Sequence, residues 1–232
     1  MLSLVLIILG SLVLAVMAVA AHSLAYFPGD VTVSHAVQAY QSEGLDTALR
    51  DVSWTGFPPQ SNVVFGLVVI LVLVVWSRWA AVAEALAAIG SGGLYLLLQL
   101  VVGQPRPTAD LVRVDAPVQL SAFPSGHLTT FTAVFGFLAF LAWRRLSPGA
   151  ARWLPIMLVV ALLALMSFAR ISSGQHWPSD VLGGLLLGAV WLTVVIRLYL
   201  WREGRQQRTD ISDSGRTLGH ARGAGPARAR SG

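Results

Sequence analysis

Apolar residues run in long blocks along this chain, and polar residues gather in the gaps between them. Blocks of this length without alternation exclude half-buried strands and read as helices that cross a bilayer, which takes about 20 apolar residues each. Six blocks qualify: residues 2–21, 63–77, 79–102, 125–143, 153–168 and 181–201. The second is short and ends at Arg78. The third carries one acid, Glu84, and the sixth carries Arg197 close enough to its end to reach the surface. The pattern predicts an all-α integral membrane bundle of six transmembrane helices. The first block has a cleavage-like Ala18-Val19-Ala20, but no basic residue precedes it and it is longer than a signal-peptide core, so it reads as a membrane helix.

Composition sharpens this reading. The chain of 232 residues is 55% hydrophobic and 12% charged, about half the charge of a soluble domain. It has no Cys, which excludes disulfides, thiol catalysis and Cys-ligated zinc. The net charge of +5 belongs mostly to the end: residues 201–232 hold seven of the sixteen Arg and three acids. The body is therefore nearly neutral and gives no sign of nucleic acid binding. The expected division is a membrane domain over residues 1–200 and a basic cytoplasmic tail over 201–232, disordered from about Glu203 onward.

Arg placement orients the bundle. Arg78, Arg144, Arg145, Arg152, Arg202, Arg205 and Arg208 fall on one set of connections, and Arg50, Arg106, Arg113 and Arg170 on the other. The richer set is expected in the cytoplasm. Loops 22–62, 103–124 and 169–180 then face outward. In the first loop, Asp30 can cap a short helix that puts Val33, Val37 and Tyr40 on one face, as an interfacial helix or a packed lid.

The outer loops hold three polar clusters. Gly103-Gln104-Pro105-Arg106-Pro107 follows the third helix, Pro124-Ser125-Gly126-His127 opens the fourth, and Arg170 with His176-Trp177-Pro178-Ser179-Asp180 precedes the sixth. Free N–H groups at a helix start bind phosphate, and Gly126 would let an oxyanion approach. Arg106 and Arg170 are forked donors suited to phosphate oxygens. His176 and Asp180 are four apart, so the carboxylate can fix the imidazole tautomer and leave the other nitrogen free to attack. His127 can act as acid or base. Each cluster alone also fits an ordinary helix cap or a structural His. Their gathering on one side of a chain poor in charge is what points to chemistry.

These motifs resemble the type-2 phosphatidic acid phosphatases, or lipid phosphate phosphatases, which share a fold with the vanadium haloperoxidases. Arg106-Pro107 matches the end of that family's first motif, and Pro124-Ser125-Gly126-His127 matches its second in full. Arg170, His176 and Asp180 match its third, with five and three residues between them. Two positions depart: the first motif's Lys falls on Gln99, and the third motif's Ser on Ala169. The resemblance covers about residues 1–200. It implies His176 as nucleophile through a phosphohistidine, Asp180 as its orienter, and His127 as the acid that protonates the leaving oxygen and then activates water. Arg106, Arg170, Ser125, Gly126 and Gln99 would hold the phosphoryl group, with no metal and no cofactor. Gln99 lacks the charge of Lys, which would weaken phosphate binding.

The implied partner is a membrane lipid phosphate or diphosphate. Phosphatidate, phosphatidylglycerophosphate and polyprenyl diphosphate all qualify. The implied place is the plasma or inner membrane, with the active site at the extracytoplasmic surface. Alternatives are a lipid-to-lipid phosphotransferase, an impaired phospholipid-binding relative, a zinc site opposed by the two Arg, and a transporter, which would need polar groups near the bilayer midplane. A Gly184-x-x-x-Gly188 pair seats the last helix against a neighbour within the chain or in a dimer, so the oligomeric state stays open.

Overall fold

A computed structural model describes residues 1–40, 42–115 and 120–223, with side chains described as far as Gln206. All regular structure among these residues is helical: α1 (Leu2–Ser23), α2 (Asp30–Gln38), α3 (Glu43–Trp54), α4 (Gln60–Val75), α5 (Arg78–Val102), α6 (Gly126–Arg145), α7 (Leu154–Ser172) and α8 (Pro178–Gly223). A short 3-10 turn, Ala150–Trp153, leads into α7. Five segments, four of them α1, α5, α6 and α8 and the fifth the turn with α7, are long and apolar enough to cross a membrane. The apolar α4 is shorter, at 16 residues. In chain order, the first five match their expected blocks within a few residues, and the sixth begins within a few residues of its block.

Local chemistry sets the boundaries. Ser77 precedes α5 and its Oγ accepts from Ala80 N–H at 3.1 Å. Gly103 ends α5 with φ +66°, the left-handed conformation that favours glycine at a helix end. Pro178 opens α8, where its missing N–H costs nothing.

The central helix is α6. In its apolar window 61% of residues are buried inside the protein, against 11–33% for the other spans. Phe131, Ala133, Val134, Phe137 and Leu141 fill the core around it. The Gly pair of α8 acts within the chain. A Cβ at Gly184 would lie 2.5 Å from Ser125 O, and one at Gly188 would lie 2.7 Å from Thr129 O. Bare glycine lets α8 rest on the backbone of α6. At the far end, Arg144 pairs with Glu203 at 2.6 Å and ties α6 to α8.

The segment 22–62 contains more structure than expected, since α3 was not foreseen. In α2 the inward side is polar: Asp30 and Ser34 are buried, Gln38 donates to Arg113 O at 2.8 Å, and Gln38 Oε1 accepts from Arg113 N–H at 3.1 Å. Val33 and Tyr40 are exposed, while Val37 packs against the cluster around Ile171. The expected shared apolar face is therefore split, because Asp30, Ser34 and Gln38 recur every fourth residue and claim the buried stripe.

The tail also departs from expectation. α8 does not stop near residue 201 but continues to Gly223, through the stretch expected to be disordered. Arg, Gln and Glu favour helix, and no Pro follows Pro178 until Pro226. Residues 224–232, the rest of the expected tail, lie outside the described residues.

Candidate active site

The three polar clusters meet at one end of the bundle. α6 and α8 begin side by side there, and Ser125 N–H donates to Asp180 O at 3.0 Å, joining the two helix starts. The loop after α5 closes over them. Trp177 lies buried beneath that loop and donates from its indole to Pro105 O at 3.3 Å.

His176 sits on the turn between α7 and α8 and is 2% exposed. Its Nδ1 lies 3.4 Å from Asp180 Oδ2, an ion-pair contact longer than a hydrogen bond. Asp180 Oδ2 also accepts from Trp177 N–H at 2.7 Å, which holds the carboxylate against its own helix start. A carboxylate beside Nδ1 assigns the proton to that nitrogen and leaves the lone pair on Nε2. Nε2 in turn lies 3.3 Å from Arg106 Nη1. Burial, then the positive charges of Arg106 and Arg170, hold the His176 pKa well below its ordinary value. The imidazole thus favours its neutral form, which keeps a lone pair on one ring nitrogen.

Arg106 is aimed by backbone carbonyls. Its Nε donates to Leu120 O at 2.6 Å, Nη1 to Gln175 O at 2.6 Å and Nη2 to Ser121 O at 3.2 Å. Burial lowers its pKa, and Asp180 partly restores it. Arg170 is 1% exposed at the end of α7. Its Nη1 donates to Ser53 Oγ at 2.7 Å, and its Nε has no partner. His127, on the first turn of α6, places Nε2 3.1 Å from Ser53 O.

His127, His176, Arg106, Arg170, Gly126 and Gln99 share one cavity of about 500 Å³. It runs between α4 and α5, past Asn62 and Phe65 on one side and Ala88, Gly92 and Tyr95 on the other. Ser125 Oγ, buried at the same helix start, has no partner. Neither do Asp180 Oδ1 and Gln99 Oε1. Buried polar atoms are normally paired, and such a cluster of unpaired ones marks a place that accepts a polar ligand. Among the described residues no group of three or more His, Asp or Glu converges as a metal site would require.

Two expected phosphate ligands sit differently from their sequence reading. Gln99 directs Nε2 to Pro124 O at 3.0 Å, so its amide braces the Pro-Ser-Gly-His loop and turns its acceptor oxygen inward. A Cβ at Gly126 would lie 2.8 Å from Tyr95, so glycine there makes room for a ring as well as for an anion. Ala169 is buried and lines a separate hollow beside α3.

Sequence reasoning missed Ser53 and Phe57, which meet His127 and Arg170 from α3 and the turn after it. Nothing in their spacing marks them. It also read Asp30 only as a cap of its own helix. Asp30 accepts from Ser179 N–H at 2.9 Å and Ser179 Oγ at 2.7 Å, so α2 caps the start of α8 one residue from Asp180. A buried-stripe reading of Asp30, Ser34 and Gln38 is the signal that would have found it.

Known proteins resemble this chain in sequence and in fold. The model of the PAP2 superfamily matches residues 79–203. A Mycobacterium tuberculosis (strain ATCC 25618 / H37Rv) protein named decaprenylphosphoryl-5-phosphoribose phosphatase is 35% identical over 164 residues, 69% of this chain and 85% of that protein. The Escherichia coli (strain K12) protein named "Putative undecaprenyl-diphosphatase YbjG" is 41% identical over 70 residues, so this match spans only 30% of that relative's length and 30% of the chain. The crystal structure of a transmembrane PAP2 type phosphatidylglycerolphosphate phosphatase from Bacillus subtilis superposes with a TM-score of 0.72 at 19% identity, covering 83% of this chain and 94% of that one. The last likeness concerns the fold; the family model and the mycobacterial relative carry the assignment. With its membrane helices and its paired motifs, the chain belongs to the PAP2 superfamily, whose members named here are phosphatases of lipid phosphates or diphosphates.

Proposed function

We propose that this protein is an integral membrane lipid phosphatase that works through a phosphohistidine on His176 and needs no metal. The observation that carries the reading is the convergence of two His, two Arg and a helix start on one cavity between α4 and α5. His176 Nε2 attacks phosphorus, and Asp180 beside Nδ1 steadies the imidazolium that results. His127 delivers a proton to the leaving oxygen and later takes one from water. Arg106, Arg170, Ser125 and the Gly126 N–H hold the phosphoryl oxygens, supplying the positive field that Mg²⁺ supplies in other phosphoryl-transfer enzymes.

A cavity that runs sideways between helices suits a headgroup whose chains stay in the bilayer. The relatives' names make polyprenyl-linked phosphates and diphosphates the first substrates to try, with phosphatidylglycerophosphate and phosphatidate beside them. The Arg asymmetry supports a site facing the extracytoplasmic side of the plasma or inner membrane. Residues 1–200 form the catalytic unit, and residues 201–232 are a cytoplasmic extension.

The test is phosphate release from these lipids by the detergent-purified protein with EDTA present, beside His176→Ala. Release that survives EDTA and vanishes in the variant is expected. Loss of release in EDTA, restored by added metal, would refute the metal-free reading. A new phosphorylated lipid in place of free phosphate, on adding an acceptor lipid, would replace hydrolysis by transfer.

A further inference from the structure

His127 and Arg170 both meet a residue that lies outside the three motifs and before the region matched by the family model. His127 Nε2 is 3.1 Å from Ser53 O, and Arg170 Nη1 donates to Ser53 Oγ at 2.7 Å. Ser53 is buried near the end of α3. A carbonyl oxygen only accepts, so the ring nitrogen facing it carries a proton, and a neutral His127 has its lone pair on Nδ1. The next residues hold the ring in place. A Cβ at Gly56 would clash with Cδ2 and Nε2 of the His127 ring, and the Phe57 ring meets that ring edge-on at 4.6 Å and 78°. The same Phe57 ring lies 5.1 Å from the Arg170 guanidinium.

We propose that Ser53, Gly56 and Phe57 form a positioning wall for proton transfer, in which Ser53 O holds His127 as the Nε2–H tautomer and makes Nδ1 the atom that exchanges protons with the substrate. Ser53 Oγ meanwhile sets Arg170 for the phosphoryl oxygens. This rests on the phosphatase reading above. A phosphomonoester enters as its monoanion, and Nδ1 takes the phosphate proton. His176 Nε2 bonds to phosphorus as the bond from phosphorus to the lipid oxygen breaks, and the Nδ1 proton goes to that oxygen. Water then bonds to phosphorus and gives a proton to Nδ1. The N–P bond breaks, its electron pair returns to His176, and phosphate leaves with the proton from Nδ1. A fixed carbonyl on one ring nitrogen keeps the other poised for both halves.

The test separates positioning from folding by the leaving group. An alkyl lipid oxygen needs a proton to depart, whereas p-nitrophenolate does not. In the full chain in detergent, Gly56→Ala pushes the His127 ring away from Ser53 O. We expect kcat/KM for the lipid phosphate to fall about a hundredfold, the scale of general acid catalysis, and that for p-nitrophenyl phosphate to fall less than tenfold. kcat/KM reports steps up to leaving-group departure, so later hydrolysis does not blur the comparison. Equal losses on both substrates, or none, would overturn the proposal.

Should Gly56→Ala fail to fold, Ser53 decides. Ser53→Ala is expected to raise the inhibition constant of inorganic phosphate about tenfold, the loss of one charge-assisted hydrogen bond, and Ser53→Thr to restore it. An unchanged constant in Ser53→Ala would overturn the role given to Ser53 Oγ. A wild type that releases no phosphate from either substrate would refute the phosphatase reading itself and this proposal with it. Release without the leaving-group difference would refute only this proposal.

Discussion

Asp30 offers the sharpest test of how the site is built. Its carboxylate is 4% exposed and accepts three hydrogen bonds: from Phe27 N–H at 2.7 Å, Ser179 N–H at 2.9 Å and Ser179 Oγ at 2.7 Å. Two of these donors open α8 beside Asp180, so one side chain from α2 caps the helix that carries Asp180. Asp30→Ala leaves two backbone N–H groups without their acceptor. A lost cap costs about 0.5–2 kcal/mol, and each buried donor left unpaired costs about 1–3 kcal/mol. Since these bonds share one carboxylate, the sum is not additive, and about 3–4 kcal/mol is the expected loss. For a chain of this size 1 kcal/mol shifts Tm by about 2–4 °C, so thermal unfolding in detergent should fall by roughly 6–16 °C. Asp30→Asn keeps one acceptor oxygen and should lose about half as much. In Asp30→Asn, kcat should fall more than KM rises, because Asp180 and His176 are disturbed while the phosphate ligands are not. A Tm within 2 °C of wild type in Asp30→Ala would refute the capping argument.

Three further outcomes follow from the geometry. Burial keeps His176 neutral with a pKa well below its ordinary 6.5. The unfolded chain therefore binds the extra proton first, and stability present above about pH 6.5 is lost as the pH falls below it, at up to about 1.4 kcal/mol per pH unit. Denaturation of wild type and His176→Gln between pH 7.5 and 5 should show the shallower slope in the variant; equal slopes would contradict this. Gln99→Lys can still donate to Pro124 O and adds a charge beside the cavity, so inorganic phosphate should inhibit at about tenfold lower concentration, the gain of one charge-assisted contact; an unchanged constant would remove position 99 from anion binding. Gly188→Leu would place a side chain where a Cβ alone lies 2.6 Å from Thr132 Cβ, forcing α8 off α6 at a cost of about 1–3 kcal/mol, read as a lower Tm with reduced activity. A variant as stable and active as wild type would show that the close approach is dispensable.

How far the sequence carried this reading depends on range. Apolar blocks of membrane length are a local signal, so the spans were legible, and α4 differs from its expected block by only a few residues. The His176–Asp180 contact was legible from its short spacing, although His176 lies on the turn before α8 and Asp180 in the helix's first turn. The fate of Gln99 was not, since an amide 25 residues from Pro124 gives no hint that its donor faces a carbonyl. Ser53 shows the limit most clearly. It reaches His127 across 74 positions and Arg170 across 117, and the His127 contact uses its main-chain oxygen. A backbone acceptor carries no residue-type signature, so any residue at 53 could offer it. What residue type does fix is the approach: only glycine at 56 leaves space for the His127 ring. A long loop, read as a cover with no marked chemistry, thus supplies the carbonyl that faces His127, while the motifs supply the side chains of the cavity. The division follows from physics, because a reacting side chain must be of one chemical kind, whereas the group that aims it needs only the right place.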